Sequence, residues 1–177
     1  MQTVTLKPAH FKPDGITATP DFISDGHWLI PKKFVANSAL FATAESADAF
    51  MGKATTHRGR GLRRFAKILP TNNIADRVLA QKDGSSEFIA LPVLVESHST
   101  GLVRVFASET GDVLGLREDY CKFFGLYNVF SRGGSSCAYV LDSDGAVDLA
   151  IMPVRDVREQ LNRIPRPSPQ QEEAEAV

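Results

Sequence analysis

Six of this chain's 20 Lys and Arg residues gather in one place. Between Gly52 and Lys67 lie Lys53, Arg58, Arg60, Arg63, Arg64 and Lys67, six positive charges with no acidic residue among them. Guanidinium groups suit bidentate contact with phosphate oxygens, and such contacts fix a protein on a nucleic-acid backbone without reading sequence. Arg58, Arg60, Arg63, Arg64 and Lys67 are therefore the candidate nucleic-acid-binding residues. Phe65 is the stretch's one aromatic residue, too few for a platform on which bases stack. The plainer alternative is a solvated face whose charge is offset by acids elsewhere in the fold.

Other chemistries have weaker footing. His10, His27, His57 and His98 are far apart, and none sits in an HxH or HExxH spacing, so nothing places two on one metal or beside a nucleophile. Asp142-Ser143-Asp144-Gly145 begins like a calcium loop but lacks the later ligands and the bidentate glutamate, which leaves a hairpin turn. Ser131 to Ser136 is glycine-rich, yet no Lys-Ser/Thr ending or helix follows, so it reads as a turn and not a P-loop. Cys121 falls in an aromatic helix and reads as core, and neither cysteine adjoins a His or Lys. These readings predict a non-enzymatic protein with no metal and no cofactor.

The elements that would position these residues can be read from punctuation and periodicity. Val4 and Leu6 alternate with Thr3 and Thr5 like a short strand. Pro8, Pro13, Gly15 and Pro20 mark 7–20 as loop. Asp25-Gly26 between Phe22-Ile23-Ser24 and His27-Trp28-Leu29-Ile30 predicts a hairpin with a type I′ turn. Pro31 is placed to open a helical stretch through Met51, divided near Asn37-Ser38 and Ser46. Leu62, Phe65, Ala66 and Leu69 follow i, i+3, i+4, i+7 spacing up to Pro70, which predicts a short amphipathic helix. From Val78 onward, strands at close intervals predict an antiparallel sheet through Val154. Pro92 argues for an edge or bulge within the long strand from Glu87 to Glu96. One helix, Arg117 to Leu126, interrupts the sheet, with Tyr120, Phe123 and Phe124 as its buried stripe. Asp156 is placed to cap a last short helix carrying Val157, Leu161 and Ile164.

The predicted class is thus α+β, with helices in the N-terminal part and then a mostly antiparallel sheet with one packed helix. The expected organisation is a single domain over 1–164, with a basic insert at 52–69 and a disordered acidic tail at 165–177. The whole chain has 177 residues, a formal charge of −1, 43% hydrophobic and 23% charged residues. That balance excludes a globally basic nucleic-acid coat and an acidic disordered mimic alike. No apolar run is long enough to span a membrane, and the N-terminus has no secretory pattern. With only two cysteines, the expected setting is the cytoplasm with both thiols reduced.

Val113 to Phe124, the strands after it, and Ala150-Ile151-Met152-Pro153-Val154-Arg155 together resemble the end of the bacterial replicative sliding clamp, the β subunit of the chromosomal polymerase. In that family a strand leads into a helix with a Tyr at its fourth position, then strands, then a closing Met-Pro-Val/Met-Arg. Ile23 to Leu29, with Asp25-Gly26-His27, is similar to the family's Asp-Gly-His strand signature, and Pro31-Lys32-Lys33 to the Pro-Arg-Lys that follows it. A clamp chain carries three related domains, and this one has room for about one. The resemblance implies a single clamp-like domain of phage or mobile-element type, acting as a homo-oligomer in DNA replication, with Met152, Pro153, Val154 and Arg155 as partner-binding residues. The alternatives are an adaptor or inhibitor that binds proteins without nucleic acid, and a small ligand binder using His27, His57 or His98.

Overall fold

The computed structural model describes residues 1–11, 15–52, 66–69, 73–133 and 136–163. The strands are β1 (Ile16–Ala18), β2 (Phe22–Ser24), β3 (Trp28–Pro31), β4 (Ala66–Ile68), β5 (Ser86–Ser97), β6 (Gly101–Ser108), β7 (Val113–Arg117), β8 (Asn128–Ser131), β9 (Ala138–Leu141) and β10 (Val147–Ile151). The α-helices are α1 (Ala44–Met51), α2 (Asn73–Leu79), α3 (Glu118–Phe124) and α4 (Arg158–Leu161). The class is α+β. Pairing is antiparallel for β1 with β2, β2 with β3, β3 with β10, β5 with β6 and β8, and β6 with β7. Strand β4 is parallel to its neighbour β1. The chain forms two compact units interleaved in sequence, Met1–Asp83 with Tyr139–Ile151, and Gly84–Ala138 with the chain from Met152 onward. No described helix is long and apolar enough to cross a membrane.

In the first unit the strands run in the order β4-β1-β2-β3-β10-β9. Its core is aromatic. Phe11 stacks at 5.2 Å on the buried Trp28 and at 5.8 Å on Phe41, and Phe50 of α1 meets Phe41 edge-on at 5.1 Å. Thr43 starts α1 by accepting from Ser46 N–H at 3.1 Å, and Gly52 at φ +80° stops it. The N-terminal stretch makes a single bridge, Val4 to Val35, and not a ladder. Asn37 extends the contact with its side chain, accepting from Leu6 N–H and donating to Leu6 C=O at 3.1 and 2.9 Å.

Several expectations for this unit change. The helical part is shorter than predicted. Pro31 closes β3, and 3₁₀ turns at Lys32–Phe34 and Ser38–Phe41 precede α1. Ile16–Ala18, expected as loop, is a buried strand. Ala66–Ile68, expected in a helix, is instead strand β4, because a three-residue apolar spacing fits either period and the partner β1 decides it. Val78-Leu79, expected as strand, ends helix α2, whose Ala75, Arg77 and Leu79 are strong helix formers. The β2–β3 turn is not type I′, since no described non-glycine residue has positive φ. Side chains close it: Asp25 Oδ1 accepts from His27 and Trp28 N–H at 2.7 and 3.0 Å, and Ser24 Oγ donates to Trp28 C=O at 2.6 Å.

In the second unit the order is β8-β5-β6-β7. Along β6, Val103 and Val105 point to one face and Arg104 and Phe106 to the other. Val103 and Val105 pack with Val157 and Leu161 beside α4, and Leu91, Val93, Val95, Val113 and Val154 flank them. On the opposite face Arg104 meets Glu118 of α3. Strand β5 bulges between Ala90 and Leu94 against β6, around the predicted Pro92. Helix α3 ends at Gly125, in left-handed conformation (φ 66°, ψ 45°). Its buried residues are Glu118, Tyr120, Cys121 and Phe124; Phe123, expected inside, is half-buried against Phe124 at 4.8 Å.

Packing is tight at Gly115 of β7. A Cβ there would lie 2.6 Å from Val103 Cγ1 and 3.3 Å from Val157 Cγ2. Gly115→Ala is expected to cost about 1–3 kcal/mol by overpacking, read as a lower urea midpoint with an unchanged slope. A shift below about 0.5 kcal/mol means that Val157 and α4 move aside freely, and refutes this tight seat.

Candidate functional site

Of the candidate phosphate-binding residues, Arg58, Arg60, Arg63 and Arg64 lie outside the described residues. Lys67 is described, at the exposed centre of β4, with its backbone in register with Thr17. It therefore projects from a strand and not from the helix expected there.

The tetrapeptide Met152–Arg155 continues directly from β10. Pro153 is buried, Met152 and Val154 are half-buried, and Arg155 is exposed. Val154 N–H donates to Gly115 C=O at 2.9 Å, and its side chain joins the Val103–Val157 cluster. Met152 Sδ lies 3.2 Å from Cys137 Sγ. Three of the four residues are thus engaged in packing, and Arg155 is exposed.

Asp156 lies one residue before the N-cap position of α4, and so is not placed as its predicted cap. Its carboxylate accepts instead from the β5–β6 turn: from Ser97 Oγ at 2.8 and 3.0 Å, Ser99 Oγ at 2.7 Å and Ser99 N–H at 3.2 Å. The hydrogen bonds from Ser99 and then Ser97 hold its pKa below the ordinary carboxylate range. This ties the tip of the longest hairpin to the segment that leads into α4.

Glu118 was not singled out from the sequence, and it is the most constrained acid of the second unit. It is 4% exposed. Arg104 Nε and Nη2 donate to its two oxygens at 2.6 and 2.7 Å, and Lys122 Nζ stands at 3.4 Å. The Arg104 hydrogen bonds lower the Glu118 pKa and outweigh the opposing effect of burial. One signal was present: Arg104 interrupts the apolar run Leu102-Val103-Arg104-Val105-Phe106, where an inward cation demands an acid. One turn on, burial pushes the Cys121 thiol up to about 12, with the Glu118 charge adding to it. Cys121 is core, as its aromatic helix implied.

The described histidines do not come together with other described ligands. His10 Nδ1 accepts from Lys7 N–H at 3.0 Å, His27 follows the Asp25 turn, His98 is exposed in the β5–β6 turn, and His57 lies outside the described residues. Among the described residues no three His, Cys, Asp or Glu side chains group as metal ligands do. Asp142 folds its carboxylate back onto Asp144 and Ala146 N–H at 2.9 and 2.8 Å, which makes 142–145 a turn.

One surface was missed by sequence reasoning. Strand β8 flanks β5 only along Ser86–Ile89, and Ala90 N–H then donates to Tyr127 C=O. From Leu91 to Ser97 the described residues place a strand on one side of β5 only, β6. Leu94 of β5 and Leu102 of β6 are 45% and 51% exposed. They share the face of Arg104, since Leu94 pairs with Arg104 and Leu102 with Glu96. The continuous apolar run Phe88–Val95 gives no sign of it, because which edge stays open depends on the length of β8.

Compared with known proteins, the chain has no match: no protein family, no curated protein and no solved structure matches it.

Arg104→Ala is expected to cost about 2–3 kcal/mol near neutral pH, less than the loss of a fully buried pair because Arg104 is partly exposed. Glu118 has a lowered folded-state pKa, so its pairing stabilises fully above the unfolded value of about 4. The contribution fades as pH falls through the folded value. The difference between wild type and variant in urea melts therefore narrows below about pH 4, and a gap that stays constant to pH 2 refutes the pairing. Cys121 is expected to resist iodoacetamide at pH 8 in the native protein and to react in urea, and ready native labelling contradicts its burial.

Proposed function

We propose that this chain is a non-enzymatic accessory protein of DNA metabolism built on a sliding-clamp-like domain, and that it acts as a homo-oligomer. One observation carries the reading. The chain order β7, α3, β8, β9, β10 and then Met152-Pro153-Val154-Arg155 is the strand, helix, strands and tetrapeptide that the resemblance calls for, with Tyr120 inside α3. Asp25-Gly26-His27 also falls between two paired strands, β2 and β3. On this reading Arg58, Arg60, Arg63, Arg64 and Lys67 contact backbone phosphates, and Arg155 is the exposed contact of the partner-binding tetrapeptide.

A second reading, an adaptor that binds protein and no nucleic acid, is favoured by the open edge of β5 with its exposed Leu94 and Leu102. Salt dependence separates the two. Each neutralised phosphate releases condensed counterions, so three or four contacts give a log–log slope near about −3 on duplex DNA. Binding should be insensitive to sequence and fall steeply between low and physiological salt. The triple variant Arg60→Gln, Arg63→Gln, Arg64→Gln should flatten that slope without lowering the melting temperature. Absence of any shift at low ionic strength removes the DNA reading and leaves the adaptor.

A further inference from the structure

We infer that Cys137 and Met152 form a binding site for one soft monovalent metal ion, copper(I), held between the Cys137 thiolate and the Met152 thioether. The site is independent of DNA contact and of self-association. Cys137 Sγ and Met152 Sδ stand 3.2 Å apart, although fifteen positions separate them in the chain. Cys137 immediately precedes β9 and Met152 immediately follows β10, neighbouring strands joined by the Asp142–Gly145 turn. Thiolate and thioether sulfurs select copper(I), whereas imidazole suits zinc and carboxylate suits magnesium and calcium. Among the described residues no two further His, Cys, Asp or Glu side chains join Cys137 as metal ligands. The four-ligand set of a structural zinc ion is therefore not on offer there.

Charge gives the same answer. Cys137 is 5% exposed, and a buried site tolerates little net charge. Binding displaces the thiol proton: Cys–SH and Cu⁺ give Cys–S–Cu and H⁺, with no change of oxidation state. The thiolate cancels the single charge of copper(I) and the thioether adds none, so the loaded site is neutral. A divalent ion would leave one charge uncompensated. The surroundings also fit. Met152 is half-buried, which leaves the ion a route from solvent. Its backbone is pinned by β10 on one side and by the Val154 N–H bond to Gly115 C=O at 2.9 Å on the other, while its side chain keeps three rotatable bonds. Metal–thiolate bonds of about 2.3 Å set two sulfurs about 4.6 Å apart on a linear ion. Met152 Sδ therefore moves out by about 1.4 Å from its 3.2 Å contact on loading. Cys121 does not compete, because burial pushes its thiol up to about 12 and only the deprotonated form binds metal.

The test is an oxygen-free titration of the full, reduced chain with copper(I) against bicinchoninate, whose coloured copper complex reports what the protein leaves behind. The wild type should withdraw a single copper(I) per chain, and Cys137→Ser should withdraw none. Met152→Leu, which conserves volume, should hold the ion about tenfold or more less tightly. Cys121→Ala should match the wild type. X-ray absorption of the loaded wild type should show two sulfur neighbours at about 2.3 Å. A wild type that takes no copper(I) from the chelator overturns the inference. So does a Met152→Leu protein that binds as tightly as the wild type, since the thiol alone then suffices. If the variants fail to fold, X-ray absorption on the wild type decides, and copper with fewer than two sulfur neighbours overturns the site.

Discussion

From Val103 onward strand β6 is covered on both faces, and the second unit is arranged around that constraint. A strand with one wet face can turn a polar residue outward at every second position. With α4 beside Val103 and Val105 and α3 above Arg104 and Phe106, β6 has no such freedom. A cation placed there must find its charge partner inside the unit, and Glu118 supplies it with two hydrogen bonds at the first turn of α3. The pair therefore fixes where α3 begins. A buried ion pair is weak as a source of net stability, because desolvation consumes most of the attraction. Its strength is in selection, since any other seating of α3 leaves Glu118 buried without its partner.

The same crowding explains the second tether. Helix α4 is four residues long and could not persist by itself. It is held by the apolar contact of Val157 and Leu161 with β6, by the space that Gly115 leaves on β7, and by Asp156 gripping the β5–β6 turn. The Met152–Arg155 segment belongs to this arrangement: Val154 N–H reaches Gly115 C=O. A Met-Pro-Val-Arg signature at this position has a packing rationale in its first three residues, and only Arg155 is left over to serve recognition.

What the sequence made legible follows from how local each signal is. The Asp142–Gly145 turn and the bulge at Pro92 were readable because one or two residues impose the backbone geometry themselves, whereas the helix expected through Leu126 stops at Gly125. Cys121 as core was readable from its aromatic neighbours. Ala66–Ile68 and Val78 were misread because three- or four-residue apolar spacings serve helix and strand alike, and only the presence of β1 beside β4 settles the first. Asp156 was misread because an acid near a helix start satisfies a cap rule, while Ser97 and Ser99, nearly sixty residues earlier, compete for the same oxygens. Glu118 and the edge of β5 were missed for the same reason. Both depend on which strand lies beside which, a non-local fact.

The edge of β5 is protected unevenly. Pro92 removes one donor, and the bulge twists the strand locally, which guards against indefinite stacking into fibres. Neither device blocks a single partner at residues 93 to 97, where no lysine, no inward charge and no described strand intervenes. The apolar residues follow the same logic. Leu94 and Leu102 could be polar at little cost to the fold, since their exposed halves contribute little to the core. As they stand, two large apolar side chains, Leu94 and Leu102, lie 45% and 51% exposed on the face of Arg104.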